Sequence, residues 1–472
     1  MIPTTGSELA TILTGQLVDG DDDQSCSRVA IDSRQVGPGV CFFAIVGPRD
    51  DGHRYLPPTI AAGASALVIQ RQEVLPHLEN PTNAAIILVE DTTTALQTLA
   101  VHVRRRVDPL VVAITGSVGK TTTSALAYGL LCESASTLAT PGNFNNHWGL
   151  PLSLLGLEPG HEWMVAELGM SGPGEIGLLA TLAEPQIAVI TNVAPVHMEN
   201  FDSVGGVAAA KRELADELGS DGTLIVNADD TWTAAMGDEF EDRVARVLRF
   251  GTGPTADIRA IDAEAVDGDW RFSLCFPGSD PVPAKLPLPG EHSLSNFLAA
   301  AAVAHAVGID VRTVADRTDG LVLPAMRGQM RRTNDGIAVI DDSYNASPAA
   351  MLSAIDTLVG SATDRKRILA VGDMLELGSW AEDAHREVGL HAAAVGIDTL
   401  VTVGTLARDI ARGATAGGMN EDSIREFGTS HEAAEAIRTI ARPGDTVLVK
   451  GSRGIRMERV TRALLDETAG AA

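Results

Sequence analysis

The chain has 472 residues, of which 62 are acidic and 36 are basic, so its formal net charge is −26. A chain this acidic is repelled by phosphodiester backbones, which argues against a nucleic-acid partner. Hydrophobic residues make up 45% of the chain and aromatic residues 4%. This composition allows several aliphatic cores, and the length indicates two to four domains. None of the four cysteines forms a C-x-x-C pair, which favours free thiols over a metal or redox motif.

The first 107 residues contain short apolar runs at 40–46, 66–69 and 85–89, separated by turns rich in Gly and Asp. Runs of this length between turn signals predict the strands of a small α/β domain. The N-terminus lacks a basic segment followed by a long apolar run, and no apolar stretch reaches the ~20 residues of a membrane helix. We therefore expect a cytoplasmic protein.

Residues 108–327 alternate between strand and helix patterns. The continuous apolar run at 110–115 predicts a buried parallel strand, and a helical pattern follows at 120–133. Further strands are predicted at 163–166, 187–191 and 223–226. This alternation favours a doubly wound parallel sheet. Short antiparallel strands are predicted within 250–289, followed by a buried Ala-rich helix at 293–307.

Residues 328–472 repeat the alternation, with strands predicted at 338–340, 368–371, 399–403 and 446–449. The tail at 469–472 is predicted to fray. The sequence thus predicts an α/β protein of three domains: a small N-terminal α/β domain (1–107), a central parallel-sheet domain with a phosphate loop (108–327), and a C-terminal Rossmann-like domain (328–472).

A candidate phosphate-binding loop lies between the strand at 110–115 and the following helix. Its residues are Gly116, Ser117, Val118, Gly119, Lys120, Thr121 and Thr122. Glycines allow backbone N–H groups to face phosphates, a lysine contacts the outer phosphates, and a hydroxyl binds Mg²⁺. Ala113 stands where the usual GxxxxGK[ST] spacing has its first glycine. The motif indicates ATP binding but fits kinases, GTPases and ligases alike.

Further polar residues follow the predicted strands of the central section. Amides occur at Asn143, Asn145 and Asn146, and Glu167 ends a strand. His197 comes shortly after another strand, and Lys211 lies in the next helical pattern. The carboxyl ends of parallel strands are where α/β sheets bind ligands. Each residue alone has a structural alternative, such as an Asx turn for the amides.

Together these motifs resemble the Mur ligase family, which forms amide bonds with ATP in bacterial peptidoglycan synthesis. The resemblance covers nearly the whole chain. The positions that carry it are 31–34, 116–122, 142–146, 167–169, 191–192, 197, 211, 296, 327, 341–346, 372–378 and 450–453. The D-D-S-Y-N-A stretch at 341–346 and G-D-M-L-E-L-G at 372–378 are similar to the member that adds D-alanyl-D-alanine to UDP-muramoyl-tripeptide.

The resemblance implies an ADP-forming ligase that activates a carboxylate as an acyl phosphate, which an amine then attacks. It implies catalytic roles for Lys120, Glu167, His197 and Lys211. It also implies two Mg²⁺ ions, the first held by Thr121 and Glu167. The second would be held by His197 and by Lys211 in carbamylated form.

Binding roles are implied in all three domains, and we expect a monomer. For ATP, the resemblance implies contacts from the phosphate loop and from Asn296, Arg327 and Asp342. For the UDP-muramoyl-peptide it implies Ser33, Arg34, Asn143, Asn145 and Asn146, and for the dipeptide it implies Asp373, Glu376 and Lys450.

The chain departs from the family pattern at Val118, Met170, Val196 and 291–293. None of these changes removes a charged catalytic group, but Met170 and 291–293 are positions at which substrate selectivity could differ. Two alternatives stay open. One is a ligase of the same type acting on another acyl substrate or amino acid, and the other is a P-loop phosphotransferase or a nucleotide-regulated binding protein.

Overall fold

The computed structural model describes residues 1–80, 83–266, 268–361 and 365–466. The tail at 469–472, predicted to fray, lies outside the described residues. Three large sheets, each flanked by helices, lie in succession along the chain. None of the helices in the described part of the chain combines the length and apolar character that a membrane-spanning segment requires.

The N-terminal sheet has five strands. Its elements are β1 (Thr4–Thr5), α1 (Gly6–Ile12), β2 (Gln16–Asp19), β3 (Ser25–Cys26), β4 (Arg28–Ala30), β5 (Val40–Phe43), α2 (Leu56–Ala61), β6 (Ala66–Ile69), β7 (Ala85–Leu88) and α3 (Thr92–Val107). The order is β2-β7-β6-β5-β4, with β2 antiparallel to β7 and the others parallel, while β1 pairs with β3. The three central strands are fully buried except at one end of β7, which explains their continuous apolar runs.

The central sheet has nine strands. Its elements are β8 (Leu110–Thr115), α4 (Lys120–Leu131), β9 (Thr137–Ala139), α5 (Gly149–Leu154), β10 (Trp163–Glu167), α6 (Glu175–Ala183), β11 (Ile187–Ile190), α7 (Val204–Asp216), β12 (Thr223–Asn227), α8 (Thr231–Phe240), β13 (Arg246–Gly251), β14 (Ile258–Val266), β15 (Asp269–Cys275), β16 (Val282–Leu286), α9 (Glu291–Ala306) and α10 (Val311–Asp316). The order is β16-β15-β14-β13-β12-β11-β8-β10-β9. The strands from β14 to β9 are parallel, whereas β15 and β16 are antiparallel to their neighbours.

The C-terminal sheet has six strands. Its elements are β17 (Gln329–Arg332), β18 (Ala338–Asp342), α11 (Pro348–Ser361), β19 (Arg367–Gly372), α12 (Ala381–Ala394), β20 (Thr399–Val403), α13 (Arg408–Ala416), β21 (Ile424–Phe427), α14 (Ser430–Ile440), β22 (Thr446–Lys450) and α15 (Glu458–Leu464). The order is β17-β18-β22-β19-β20-β21, and only β17 is antiparallel to its neighbour. The polar residues that follow β18, β19 and β22 therefore meet at one sheet edge.

The three α/β sheets confirm the predicted fold class. Antiparallel strands exist within 250–289, as predicted, and they extend the central sheet. The strands without a counterpart among the predicted ones are β1, β2, β3, β4, β9, β13, β17 and β21. Of these, β9 and β21 are edge strands and β13 lies inside the central sheet, but the sequences of all three are partly polar and lack the continuous apolar run of a fully buried strand.

Arg104 on α3 joins the N-terminal part of the chain to the central one. Its side chain is 3% exposed and donates to the carbonyls of Ala183 and Glu184 at 3.0 and 2.8 Å, and to the Asp108 carboxylate at 3.0 Å. These carbonyls belong to the C-terminal end of α6, where a cation also interacts favourably with the helix dipole.

We predict that Arg104→Ala lowers the free energy of unfolding by about 2–4 kcal/mol, because buried carbonyls lose a charged donor. Denaturant unfolding measures this change. Arg106→Ala, which removes an exposed arginine from the same helix, should change stability by less than about 0.5 kcal/mol. Equal effects of the two substitutions would contradict the role assigned to Arg104.

Candidate active site

The phosphate loop connects the end of β8 to the start of α4. Gly116 and Gly119 have φ angles of 153° and 90°. A Cβ at Gly116 would lie 1.8 Å from Thr191 Oγ1, and one at Gly119 would lie 2.2 Å from Asn296 Oδ1. Both positions therefore require glycine. The N-terminus of α4 has no side-chain cap, so its free N–H groups suit an anion such as phosphate.

The segment after β11 holds this loop in place. Asn192 accepts from the Val118 N–H at 2.9 Å, donates to the Val118 carbonyl at 3.1 Å, and accepts from the Ser117 N–H through its own carbonyl at 3.0 Å. Thr191 Oγ1 also donates to the Val118 carbonyl, at 2.7 Å. The loop conformation is thus fixed by protein contacts alone.

Lys120, the first residue of α4, is half-buried at the mouth of the loop. Its Nζ donates to the Gly116 carbonyl at 2.6 Å. Burial lowers the pKa of Lys120, the Glu167 carboxylate opposes this shift, and the Arg327 guanidinium adds to it. Lys120, Glu167 and Arg327 therefore share one electrostatic environment. Thr122 lies in the same helical turn as Lys120.

Glu167 is the last residue of β10 and is 3% exposed. Its Oε1 accepts from Asn145 Nδ2 at 2.8 Å, and its backbone N–H donates to Thr140 Oγ1 at 3.0 Å. Glu167 Oε2 has no hydrogen-bond partner within the described residues. One carboxylate oxygen is thus oriented by Asn145, and the other is available to a ligand.

Arg327 and Asn296 contact the loop from the far end of the central part of the chain. Arg327 Nη2 donates to Thr121 Oγ1 at 3.1 Å, and its guanidinium carbon lies 4.0 Å from the Tyr344 ring centroid. Asn296 on α9 is buried and accepts from Thr123 Oγ1 at 3.2 Å. The structure therefore brings both residues to the phosphate loop, and their contact with a nucleotide stays a prediction.

Lys211 lies on α7 with only 1% of its surface exposed. It has no hydrogen bond or ion pair among the described residues. Burial lowers its pKa well below the usual value, and the charge of Lys120 lowers it further. Burial therefore favours the neutral amine of Lys211 over the ammonium form, and the neutral amine is the form that reacts with CO₂.

His197 and Glu376 link the central and C-terminal sheets. His197 Nδ1 lies 2.7 Å from Glu376 Oε2, and this hydrogen bond lowers the pKa of Glu376. Both residues have left-handed backbones, with φ of 53° and 65°. A non-glycine residue in this region stores strain and often marks a functional segment. A Cβ at Gly378 would lie 3.3 Å from Glu199 Cα, so the two segments pack closely.

At the edge of the C-terminal sheet, Lys450 and Asp342 are paired across neighbouring strands. Lys450 Nζ donates to Asp342 Oδ2 at 2.6 Å and to the Asn345 carbonyl at 2.9 Å. Asp373 is buried and accepts from the N–H groups of Thr405 and Ala407 at 3.2 and 2.7 Å. Lys450 and Asp373, predicted as dipeptide contacts, and Asp342, predicted as an ATP contact, thus already have protein partners.

The residues predicted to bind the UDP-muramoyl-peptide lie in two places. Ser33 and Arg34 form a short 3₁₀ turn, in which Arg34 pairs with Asp32 and lowers the pKa of Asp32 to about 2. Asn143 is exposed, and Asn146 accepts from the N–H groups of Trp148 and Gly149 at the start of α5. Asn145 belongs to the Glu167 cluster instead.

The donor set around the loop suits Mg²⁺, which prefers oxygen ligands. Thr121 supplies a hydroxyl, and Glu167 supplies a free, buried carboxylate oxygen. Among the described residues, the only three Asp, Glu, His or Cys side chains close enough to share an ion are the exposed Asp21, Asp22 and Asp23. A metal at the loop would therefore complete its coordination with non-protein oxygens, such as phosphate.

Two functional features escape prediction from single motifs. Asn192 supports the loop through both its side chain and its backbone. Its sequence signals are its position directly after a strand and its place among the residues that carry the family resemblance, and neither indicates this role. Tyr344 stacks against Arg327, while Arg453 lies 5.8 Å from the same ring. These contacts join residues far apart in sequence and depend on how the sheets are placed.

Three family models match the chain in succession. The Mur ligase family catalytic domain matches residues 26–104, the Mur ligase middle domain 114–304, and the Mur ligase glutamate ligase domain 326–453. UDP-N-acetylmuramoyl-tripeptide–D-alanyl-D-alanine ligase of Bacillus subtilis is 34% identical over 467 residues, covering 99% of each chain.

Solved structures agree with the family models. MurF from Acinetobacter baumannii superposes with a TM-score of 0.86 at 29% identity, covering 98% of this chain and 99% of that one. The MurF ligase from Thermotoga maritima in complex with ADP superposes with a TM-score of 0.79 at 29% identity, covering 93% and 97%. With the loop geometry and a full-length relative above 30% identity, this similarity establishes that the chain belongs to the Mur ligase family.

Proposed function

We propose that this enzyme joins D-alanyl-D-alanine to UDP-N-acetylmuramoyl-tripeptide in peptidoglycan synthesis, converting ATP to ADP and phosphate. The relative from Bacillus subtilis carries this activity in its name and matches over nearly its full length. The observation that carries the proposal is the convergence of Lys120, Thr121, Glu167 and Arg327 on one glycine loop.

The first step is attack of the tripeptide carboxylate on the γ-phosphate of ATP. Negative charge spreads over the phosphoryl oxygens, so positioned cations stabilise this transition state. Lys120 and the N–H groups of α4 lie where they would bind the phosphates. Arg327, held between Thr121 and Tyr344, adds a second cation from the side of the C-terminal sheet.

Thr121 and Glu167 would hold one Mg²⁺, and His197 with carbamylated Lys211 would hold a second. Bound Mg²⁺ supplies charge neutralisation to phosphate oxygens. Asn145 orients the Glu167 carboxylate, and Glu376 occupies His197 Nδ1 so that only Nε2 is left to bind a ligand. The protein therefore fixes the direction of both side chains before any ligand binds.

The second step is attack of the dipeptide amine on the acyl phosphate. This intermediate hydrolyses if water reaches it, so the site must be enclosed. The contacts of His197 with Glu376 and of Arg327 with Tyr344 join the two sheets around the loop. Ser33, Arg34, Asn143 and Asn146 would hold the nucleotide-sugar. Asp342 would contact ATP, and Asp373 and Lys450 would line the dipeptide site.

We predict that Lys120→Ala lowers kcat by at least about 100-fold, because it removes the cation at the transferred phosphate. ADP release and mass spectrometry of the product should require ATP, UDP-muramoyl-tripeptide and D-alanyl-D-alanine together. Lys285→Ala, at an exposed lysine paired with Asp269, is the matched control. Near-normal turnover of Lys120→Ala would overturn the loop assignment, and a phosphorylated product would identify a kinase.

Carbamylation of Lys211 is testable directly. We predict a carbamate carbon signal by NMR when the protein is supplied with ¹³C-bicarbonate, because the lowered pKa of Lys211 leaves a reactive free amine. Lys211→Met should abolish the signal, whereas Lys366→Met, at an exposed lysine, should retain it. A signal that survives Lys211→Met would contradict the proposal.

We predict that Glu376→Ala shifts the equilibrium between joined and separated sheets about fivefold towards separation. The estimate is modest because partly exposed ion pairs contribute up to about 1 kcal/mol. Single-molecule fluorescence energy transfer between labels on the central and C-terminal sheets measures the populations. Glu382→Ala breaks an exposed pair with Arg386 inside the C-terminal part and should leave them unchanged. No difference between the variants would exclude the contact as a closing interaction.

A further inference from the structure

Arg453 is a cation at the edge of the C-terminal sheet where the polar strand ends meet, and it is not among the predicted substrate contacts. The incoming dipeptide carries a terminal carboxylate, which needs a positive partner when it is bound. Lys450 is 3% exposed and donates to Asp342 and Asn345. Asp373 and Glu376 are acidic, so they repel a carboxylate. The residues expected to bind the dipeptide therefore leave its carboxylate without a partner.

Arg453 lies three residues after Lys450, on the loop that follows β22. Its side chain is 55% exposed, and Nη1 lies 3.3 Å from Glu458 Oε1. Its other N–H donors have no partner within the described residues. Glu458 is largely buried and pairs with one side of the guanidinium, which leaves the other side of the guanidinium fork open to a ligand. Such a fork matches the two oxygens of a carboxylate.

The surroundings of Arg453 favour an anion. A cavity of about 770 Å³ is lined by Arg453, Arg456, Arg459 and Arg462, with Glu458 as its one acidic residue. A second cavity in the same part of the chain, of about 840 Å³, has Arg408 and Arg412 balanced by Glu421 and Glu426. The two cavities thus have similar volumes but differ in charge. The first is strongly positive, although the chain as a whole is acidic.

Arg453 also lies at a suitable distance from the phosphate loop. The guanidinium carbons of Arg327 and Arg453 lie 4.0 and 5.8 Å from the Tyr344 ring centroid. Both are within cation–π range of that ring, so the two carbons are at most about 10 Å apart. An extended dipeptide spans about 7 Å. A dipeptide with its carboxylate at Arg453 is therefore long enough to extend towards Arg327, which contacts Thr121 of the loop.

We propose that Arg453, oriented by Glu458, forms the binding subsite for the terminal carboxylate of the incoming dipeptide, at the mouth of the arginine-lined cavity. This inference rests on the proposed function and assigns a residue to the recognition of its amine substrate. The subsite selects amine substrates whose carboxylate lies about two residues from the reacting amine. The Tyr344 ring contacts both Arg453 of this subsite and Arg327, which contacts the phosphate loop.

The test compares D-alanyl-D-alanine with its C-terminal amide, which lacks the negative charge. Arg453→Gln should raise KM for the dipeptide about 10- to 100-fold, as expected for loss of hydrogen bonds between charged groups. Its KM for ATP should not change. The wild-type enzyme should use the amide poorly, and Arg453→Gln should use it within about twofold of wild type, because the lost contact needs the carboxylate.

Arg408→Gln, which removes one positive charge from the balanced cavity, is the matched control and should leave both KM values unchanged. Arg453→Gln also leaves Glu458 without its cation, so the double variant Arg453→Gln/Glu458→Gln checks folding and should show the same selective loss. Equal effects on dipeptide and amide, or no effect on either, would overturn the subsite alone. A wild-type enzyme that uses other amines but not D-alanyl-D-alanine would overturn the proposed function together with it.

Discussion

A cluster of basic groups around the phosphate loop is the constraint on which the rest of the site depends. The charge of Arg327 acts on Lys120, the charge of Lys120 acts on the buried Lys211, and the Glu167 carboxylate opposes the shift at Lys120. Charges removed from water are costly unless they are paired. The lowered pKa values of both lysines express that cost. A triphosphate and a carbamate on Lys211 would each supply the missing negative charge.

The same constraint explains why the site is shared between sheets. Arg327 precedes β17 and reaches back to Thr121, while its guanidinium packs against Tyr344 after β18. Without the C-terminal sheet, the central sheet would bind the phosphates with fewer cations, and one side of the site would be open to water. Contacts from the C-terminal sheet add the Arg327 charge and cover His197 through Glu376. Neutralising the phosphates and excluding water thus depend on the same contacts between the central and C-terminal sheets.

Much of the fold could be predicted because buried parallel strands leave continuous apolar runs, as in β8 and β20, whose predicted limits match the structure. Strands β9, β13 and β21 could not, because partly exposed strands alternate or mix polar residues. In the site, chemistry-bearing residue types at strand ends were sufficient to propose Lys120 and Glu167. The roles of Asn192, Tyr344 and Arg453 depend on contacts across loops and sheets, which no local spacing encodes.

The residues that depart from the family pattern can be interpreted from the contacts that they make. Asn192 and Thr191 bind the backbone of Val118, so the loop tolerates a change of its side chain. Met170 and Val196 are 8% and 7% exposed and pack in the apolar core.

In the 291–293 stretch, Ser293 Oγ donates to the Pro289 carbonyl, and His292 Nδ1 lies 3.0 Å from Ser353 Oγ on α11. These positions therefore act on packing and on the contact between sheets more than on a substrate surface. Any difference in substrate selectivity from that of relatives should therefore come from exposed charged groups at the edge of the C-terminal sheet that are not fully paired within the protein.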